Sequence, residues 1–301
     1  MVAISGALKH LRLDKETDWG TWAGSGYLYI PVLGDGYTVK GKNVVYDPET
    51  GIFGYRRGPF GLVTKDVSGE LKCLLQLGYV EQLLDWGIKR GATYEAESYS
   101  AEFRDGVTAF RHTGLRVNTF TLAGSADSGE LAATLALVGK AESIISTFDV
   151  PSVTGVVSTG YVDEDFIIFQ DGDSLELPDG SAVGTITAFS LQVANNLTIG
   201  PAGSDNTIIY AGANRQVITG SINLLYENDT EAAKLRNFTT SSLDLNFLSA
   251  AVDVQITLPK IVYSEAPREG APSATQMLTL NFEAEYDSTL EYAITYTVGA
   301  A

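Results

Sequence analysis

Between Gln276 and Tyr286 the chain alternates without a break. Leu278, Leu280, Phe282, Ala284 and Tyr286 fall on one side of an extended backbone, and Thr279, Asn281, Glu283 and Glu285 fall on the other. Successive side chains of a strand point to opposite faces, so the segment predicts a strand with one buried face and one wet face. Much of the remaining sequence reads the same way. Tyr27 to Ile30, Phe166 to Phe169 and Thr185 to Val193 are short β-prone runs set between clusters of Gly, Asp, Asn and Pro. Asp171-Gly172 and Pro178-Asp179-Gly180 punctuate Phe166 to Val193 as hairpins, because glycine supplies the positive φ that tight turns need.

Two stretches break the β pattern. In Gly78 to Arg90 the residues Val80, Leu83, Leu84 and Ile88 recur at helical spacing, with Lys89 and Arg90 at the end and Gly91 beyond. Asn228 to Phe238 predicts a second helix, with Asn228 as N-cap and Glu231 three residues on, the spacing of a capping box.

These helices expose an internal repeat. Val67-Ser68-Gly69-Glu70-Leu71 precedes the first helix, and Ile218-Thr219-Gly220-Ser221-Ile222, 151 residues further on, precedes the second. Downstream, Gly114 to Val117 followed by Leu131 to Gly139 parallels Leu258 to Ile261 followed by Leu278 to Ala284. Upstream of each unit lies a Gly-rich segment, Gly34 to Gly61 and Gly200 to Asn214. The order of parts occurs twice, which predicts a mainly β chain of two tandem domains, 1–148 and 149–301, each with one flanking helix and a long loop.

Composition narrows the function. With 45% hydrophobic and 19% charged residues the chain has the balance of a globular protein. Its net charge is −17, and residues 149–301 hold 5 basic against 20 acidic groups, so a protein that grips nucleic acid phosphates is disfavoured. Cys73 is the only cysteine, which removes a disulfide framework and a cysteine metal cluster. Met1 to Leu13 carries Lys9, His10 and Arg12 where a signal peptide needs apolar residues, and no run approaches ~18 apolar residues, so secretion and membrane insertion are not expected.

Catalytic raw material is thin. His10 and His112 are the only histidines, and His112 beside Arg111 reads as a solvated residue of a polar turn. Asp163-Glu164-Asp165 and Asp171-Gly172-Asp173 lack the ligand order of an EF-hand loop and read as solvated turns. Gly24-Ser25-Gly26 is a turn without the following helix of a dinucleotide loop. Trp19, Trp22, Tyr27 and Tyr29 form an aromatic cluster that suits packing or, alternatively, stacking on a sugar. The 37 acidic residues offer so many carboxylate pairs that none is informative by itself.

With these residues in view the chain resembles the tail tube proteins of long-tailed bacteriophages. The resemblance rests on Ala188 to Leu197, a strand ending in Asn195-Asn196, then a loop, then Val217 to Ile222 around a Thr-Gly-Ser step. Leu258-Pro259-Lys260-Ile261 with the Leu278 to Ala284 strand, and Asp66 to Leu71, are similar to further strands of that family. It implies a β-sandwich or barrel flanked by a helix in each domain, joined to neighbouring subunits as a continuous inner barrel, with rings stacked through a long loop. Two domains per chain then imply three chains per pseudo-six-fold ring.

On that reading Glu70, Glu283 and Glu285 are candidates for the channel wall. Asn43, Tyr46, Phe53, Tyr55, Asn206 and Tyr210 are candidates for contact with the next ring. The partners implied are further copies of the chain, tape-measure and tail terminator proteins, and DNA that passes without specific binding. No cofactor or metal is implied, and the place is the virion tail, assembled in host cytoplasm. The alternatives are another tail or baseplate ring component and a carbohydrate-binding or hydrolysing β-sandwich.

Overall fold

A computed structural model describes residues 10–22, 28–30, 36–46, 61–76, 78–88, 96–104, 108–126, 129, 131–146, 174–176, 186–200, 211–212, 214–225, 230–248, 252–269 and 277–300. The first half contains β1 (His10–Lys15), β2 (Leu28–Ile30), β3 (Lys40–Tyr46), β4 (Gly61–Leu74), α1 (Val80–Ile88), β5 (Ser98–Arg104), β6 (Ala109–Ser125), β7 (Leu131–Gly139) and β8 (Ala141–Ile145). The second contains β9 (Ser174–Glu176), β10 (Ile186–Ala194), β11 (Thr198–Ile199), β12 (Ala211–Gly212), β13 (Val217–Leu225), α2 (Thr230–Arg236), β14 (Ser241–Leu248), β15 (Val252–Glu265), β16 (Arg268–Glu269), β17 (Met277–Ala284) and β18 (Thr295–Ala300). Among the described residues the chain is mainly β with two short helices, as the alternation requires. Asn228, the expected cap of α2, the Phe166 to Phe169 run and the two hairpin turns after it lie outside the described residues.

The strand pairings repeat. In the first half β4 pairs with β7, β7 with β6, β6 with β5 and β8, and β5 with β1. In the second, β13 pairs with β17, β17 with β15, β15 with β14 and β18, and β14 with β9. All of these are antiparallel, and β3 lies on β4 as β10 lies on β13. The repeat holds residue by residue: Val67 faces Gly139 and Leu74 faces Ala132, while Ile218 faces Ala284 and Leu225 faces Met277. A bulge interrupts β6 between Val117 and Thr119, and another interrupts β15 between Tyr263 and Glu265, at the matching point. This register sets Leu115, not Val117, level with Ile261, so the parallel drawn from sequence was two residues out.

Gly69 and Gly220 explain why the two strand motifs share a glycine. A Cβ on Gly69 would stand 2.5 Å from Val39 Cα and 2.7 Å from Thr38 O, and one on Gly220 would stand 2.6 Å from Ser190 O and 2.3 Å from the Phe282 ring. The neighbouring strand passes too close for any side chain.

The halves are joined by strand pairing. Beyond its bulge β6 leaves β5 and β8, and its Thr119–Ser125 stretch pairs with Ala188–Ala194 of β10. Among the described residues one 16-stranded sheet therefore runs through both halves. The boundary expected at 148/149 falls outside the described residues.

One face of this sheet carries the core. Phe120, Leu122, Leu135, Leu191, Ile222, Leu280 and Phe282 are buried there, with Leu83, Leu84 and Trp86 of α1 in the same cluster. Gly87 lets α1 rest on Phe120, whose ring a Cβ would meet at 2.4 Å. A one-residue slip of β17 would turn Leu278, Leu280 and Phe282 to solvent, at about 1.5–3 kcal/mol each, so the register is strongly specified. The expected β17 pattern ends early: Tyr286, past the strand, is 62% exposed.

Candidate channel face and subunit joints

The face opposite the core is polar and made of small residues. Strands β4, β7, β6, β10, β13 and β17 lie side by side, and their outward positions include Thr121, Thr134, Ser190, Gln192, Thr219 and Asn281. Ser190, Gln192, Thr219, Ser221, Asn281 and Glu283 line a shallow open recess on it. Glu70 stands on this face and pairs with Lys72 at 3.4 Å. Glu283 is exposed on the same face, and Glu285 lies just past the end of β17, held to Lys260 Nζ at 2.5 Å and, through its backbone N–H, to the Lys260 carbonyl. Two of the three candidate carboxylates are thus ion-paired with a neighbouring lysine.

Of the candidates for ring stacking, Asn43 and Tyr46 belong to β3, where they face Lys65 and Gly61 of β4. Phe53, Tyr55, Asn206 and Tyr210 lie outside the described residues. The Gly34 to Gly61 segment is therefore in part a paired strand rather than a loop.

The joint between the halves is more than backbone pairing. Buried Asn195 donates from Nδ2 to the carbonyls of Gly87 (3.2 Å) and Val117 (3.0 Å), and Gln216 Nε2 donates to the Ile88 carbonyl (3.2 Å). Two second-half side chains thereby satisfy the open carbonyl end of α1, which no intrahelical donor can reach. On the other side of α1, the Tyr296 hydroxyl of β18 donates to Asp85. Asn195-Asn196 was legible as a motif, but its task as a helix cap was not. Asn195→Ala would leave two buried carbonyls without this donor, and the melting midpoint should fall by the equivalent of about 1–3 kcal/mol. Unchanged melting would remove Asn195 from the joint.

The first half holds a polar cluster that the second replaces with hydrocarbon. His112 is 1% exposed, not solvated: it sits in β6, accepts or donates at Nδ1 to the Tyr37 hydroxyl (2.9 Å), and meets Glu142 with Nε2 (3.0 Å). Glu142 also accepts the Gly41 N–H at 2.7 Å. The matching second-half positions, Phe189, Leu258 and Ile294, are all buried and apolar. Its neighbour Arg111 suggested a polar turn, whereas the partners that make burial tolerable, Tyr37 and Glu142, are distant in sequence.

Burial lowers the His112 pKa from its ordinary value, partly opposed by Glu142. The unfolded chain then takes up the proton first as pH drops below ~6.5, so this histidine's contribution is complete above that value and lost on the way down. The melting midpoint should fall between pH 7 and pH 5 by more in the native chain than in His112→Gln. Equal falls would assign the acid sensitivity to other groups.

The two tryptophans of the aromatic cluster are packing residues. Trp22 covers Arg12 and Arg111, Trp19 covers Arg116 and Lys140, and Trp19 Nε1 donates to the Gly114 carbonyl at 3.0 Å. Their faces are occupied by the protein's own cations. Tyr27 and the side chain of Tyr29 fall outside the described residues.

A repeated sheet unit, a broad polar face of small residues and a strand-and-helix joint define a structural protein built for sheet continuation. The family model for phage tail tube proteins matches residues 6–284. The chain belongs to that family: it is a structural component of the phage tail that assembles with copies of itself into a tube. No curated protein matches the sequence.

Proposed function

We propose that each half is one copy of a tube domain, divided near 148/149, and that three chains close a ring of six such domains around a DNA channel. The observation that carries this reading is the repeated pairing order, β4-β7-β6-β5-β1 and β13-β17-β15-β14-β9. The polar face would form the wall, with Glu70 and Glu283 on it and Glu285 at its rim. Each chain offers the wall β3, β4, β7, β6, β10, β13, β17 and the stretch from the β15 bulge through β16. Three chains would give about 24 strands, and at ~4.8 Å spacing and ~45° tilt a barrel roughly 50 Å across between backbones. Six chains joined the same way would double that width, far beyond what guides a single duplex.

In this account no catalysis and no cofactor are required, DNA slides past without specific contacts, and assembly takes place in host cytoplasm on a tape-measure protein until a terminator protein stops it. The β3–β4 hairpin, from Asn43 at its base through Tyr46 towards Phe53 and Tyr55, would reach the next ring together with Asn206 and Tyr210. Replacing 47–60 by a short Gly/Ser linker should leave rings that fail to stack; tubes of normal length would remove the segment from this role. Negative-stain microscopy of the purified chain should show rings or hollow tubes, and dispersed monomers at all concentrations would count against the ring.

A further inference from the structure

The joint inside the chain is also a pattern for the joint between chains. We infer that the outer edge of Gly36–Lys42 docks on the outer edge of 265–269 of a second copy, antiparallel, in the register that β10 keeps on β6. Thr38 would face Glu269, Lys40 would face Pro267 and Lys42 would face Glu265. The inference rests on the ring reading above and names its contact residues.

The register follows from the repeat. β10 pairs Ser190 with Ala123 and Gln192 with Thr121. Because Tyr37 bridges Leu71 where Phe189 pairs with Ile222, Thr38 and Lys40 correspond to Ser190 and Gln192. Because Arg268 faces Leu278 where Leu122 faces Ala133, Glu269 and Pro267 correspond to Ala123 and Thr121. Among the described residues, β3 pairs only with β4 and β16 only with β17, so both edges stand where the internal joint would repeat.

Edge chemistry agrees. The N–H of Asn195 bonds the Asn118 carbonyl and that of Ala126 bonds the Thr187 carbonyl, which makes Leu122 and Leu191 a hydrogen-bonded pair and Thr121 and Gln192 a non-bonded one. Pro267 occupies the Thr121 place, where backbone groups point inward: its carbonyl accepts the Thr279 N–H at 3.1 Å. Its missing N–H therefore costs the outer edge nothing. On the opposing edge, Thr38 N–H and the Gly36 carbonyl turn inward to β4, leaving Val39 and Gly41 to point outward. Glu142 caps the outward Gly41 N–H until the Ala266 carbonyl replaces it.

Independent features sit where the repeat would place them. Asn43 corresponds in register to Asn195, and Lys65 to Gln216, so the repeat sets positions 43 and 65 level with the carbonyl end of the neighbour's α2. Phe238, at that end, is 88% exposed. Ile144 of β8, 73% exposed, is the counterpart of Tyr296, the β18 residue bonded to α1 in the internal joint. Lys40 and Lys42 meet an edge that bears Glu265 and Glu269.

Paired cysteines test the register. Non-bonded antiparallel pairs bring Cα atoms to ~4.5 Å, within disulfide reach, whereas a two-residue diagonal does not. Thr38→Cys with Glu269→Cys, oxidised as assembled tubes, should run on denaturing gels as a closed three-chain species. Lys40→Cys with Glu269→Cys should cross-link at least tenfold less. Cys73 is buried with its thiol pushed up to about 12, so it does not compete. Tubes seen by microscopy with no cross-link, or with equal cross-linking by both pairs, would overturn the register while leaving the ring intact; failure of the unsubstituted chain to form tubes would overturn both. Should the cysteine chains fold poorly, Asn43→Ala supplies the second arm. It should keep the native melting midpoint and raise the concentration needed for assembly at least tenfold, and native assembly would contradict the inference.

Discussion

Gly69→Val should leave little or no folded protein. The substitution puts a branched side chain where a single Cβ would already lie 2.5 Å from Val39 Cα and 2.7 Å from both Val39 N and Thr38 O. These are backbone atoms of the adjoining strand, so no rotamer change relieves the overlap. Overpacking commonly costs about 1–3 kcal/mol where side chains can yield. Here the segment that leads into β3 must lift from β4, and the cost approaches the whole stability of a typical domain, about 5–15 kcal/mol. Gly220→Val should act alike through Ser190 O and Phe282, whereas Gly78→Ala, with nothing within 4 Å of its Cβ, should melt normally. Circular dichroism melts of the three variants decide the matter; a native transition in Gly69→Val would contradict the close strand approach.

The second large effect concerns DNA delivery. With Glu70→Lys and Glu283→Lys in every subunit, tails should assemble normally, because these half-exposed and exposed positions tolerate charge reversal within about 0.5 kcal/mol apiece. Loss of the Glu70–Lys72 pair matters little at this exposure. Ejection should slow severalfold, since a wall that repelled phosphate now attracts it, and salt that shortens the ~8 Å Debye length should restore the rate. Glu285 is left unchanged because it lies past the end of β17, at the rim of the face rather than on it. Ejection at the native rate in low salt would put Glu70 and Glu283 outside the channel.

How much of this was legible depends on the range over which each signal acts. Alternation and helical spacing are local, and they placed β2, β10, β17, α1 and α2 to within a few residues. The Val67 to Leu71 and Ile218 to Ile222 repeat was aligned correctly because a glycine, needed for close strand approach, marks both copies. The parallel between Gly114–Val117 and Leu258–Ile261 slipped because a shift of two residues keeps every side chain on its own face, and periodicity cannot detect it. The β6–β10 pairing was invisible for a different reason: it joins strands more than 60 residues apart, and an edge beyond a bulge carries no composition of its own. His112 was misread because its neighbours in sequence are polar, while Tyr37 and Glu142, which satisfy it, lie 75 and 30 residues away.

The central claim is that two repeats per chain make three chains per ring. Native mass measurement of the smallest closed ring, with averaged end-on images of tubes, tests it most directly. The account predicts three chains and six near-equivalent lobes around one open channel. A ring of six chains, with one half of each lying outside the wall, would contradict it.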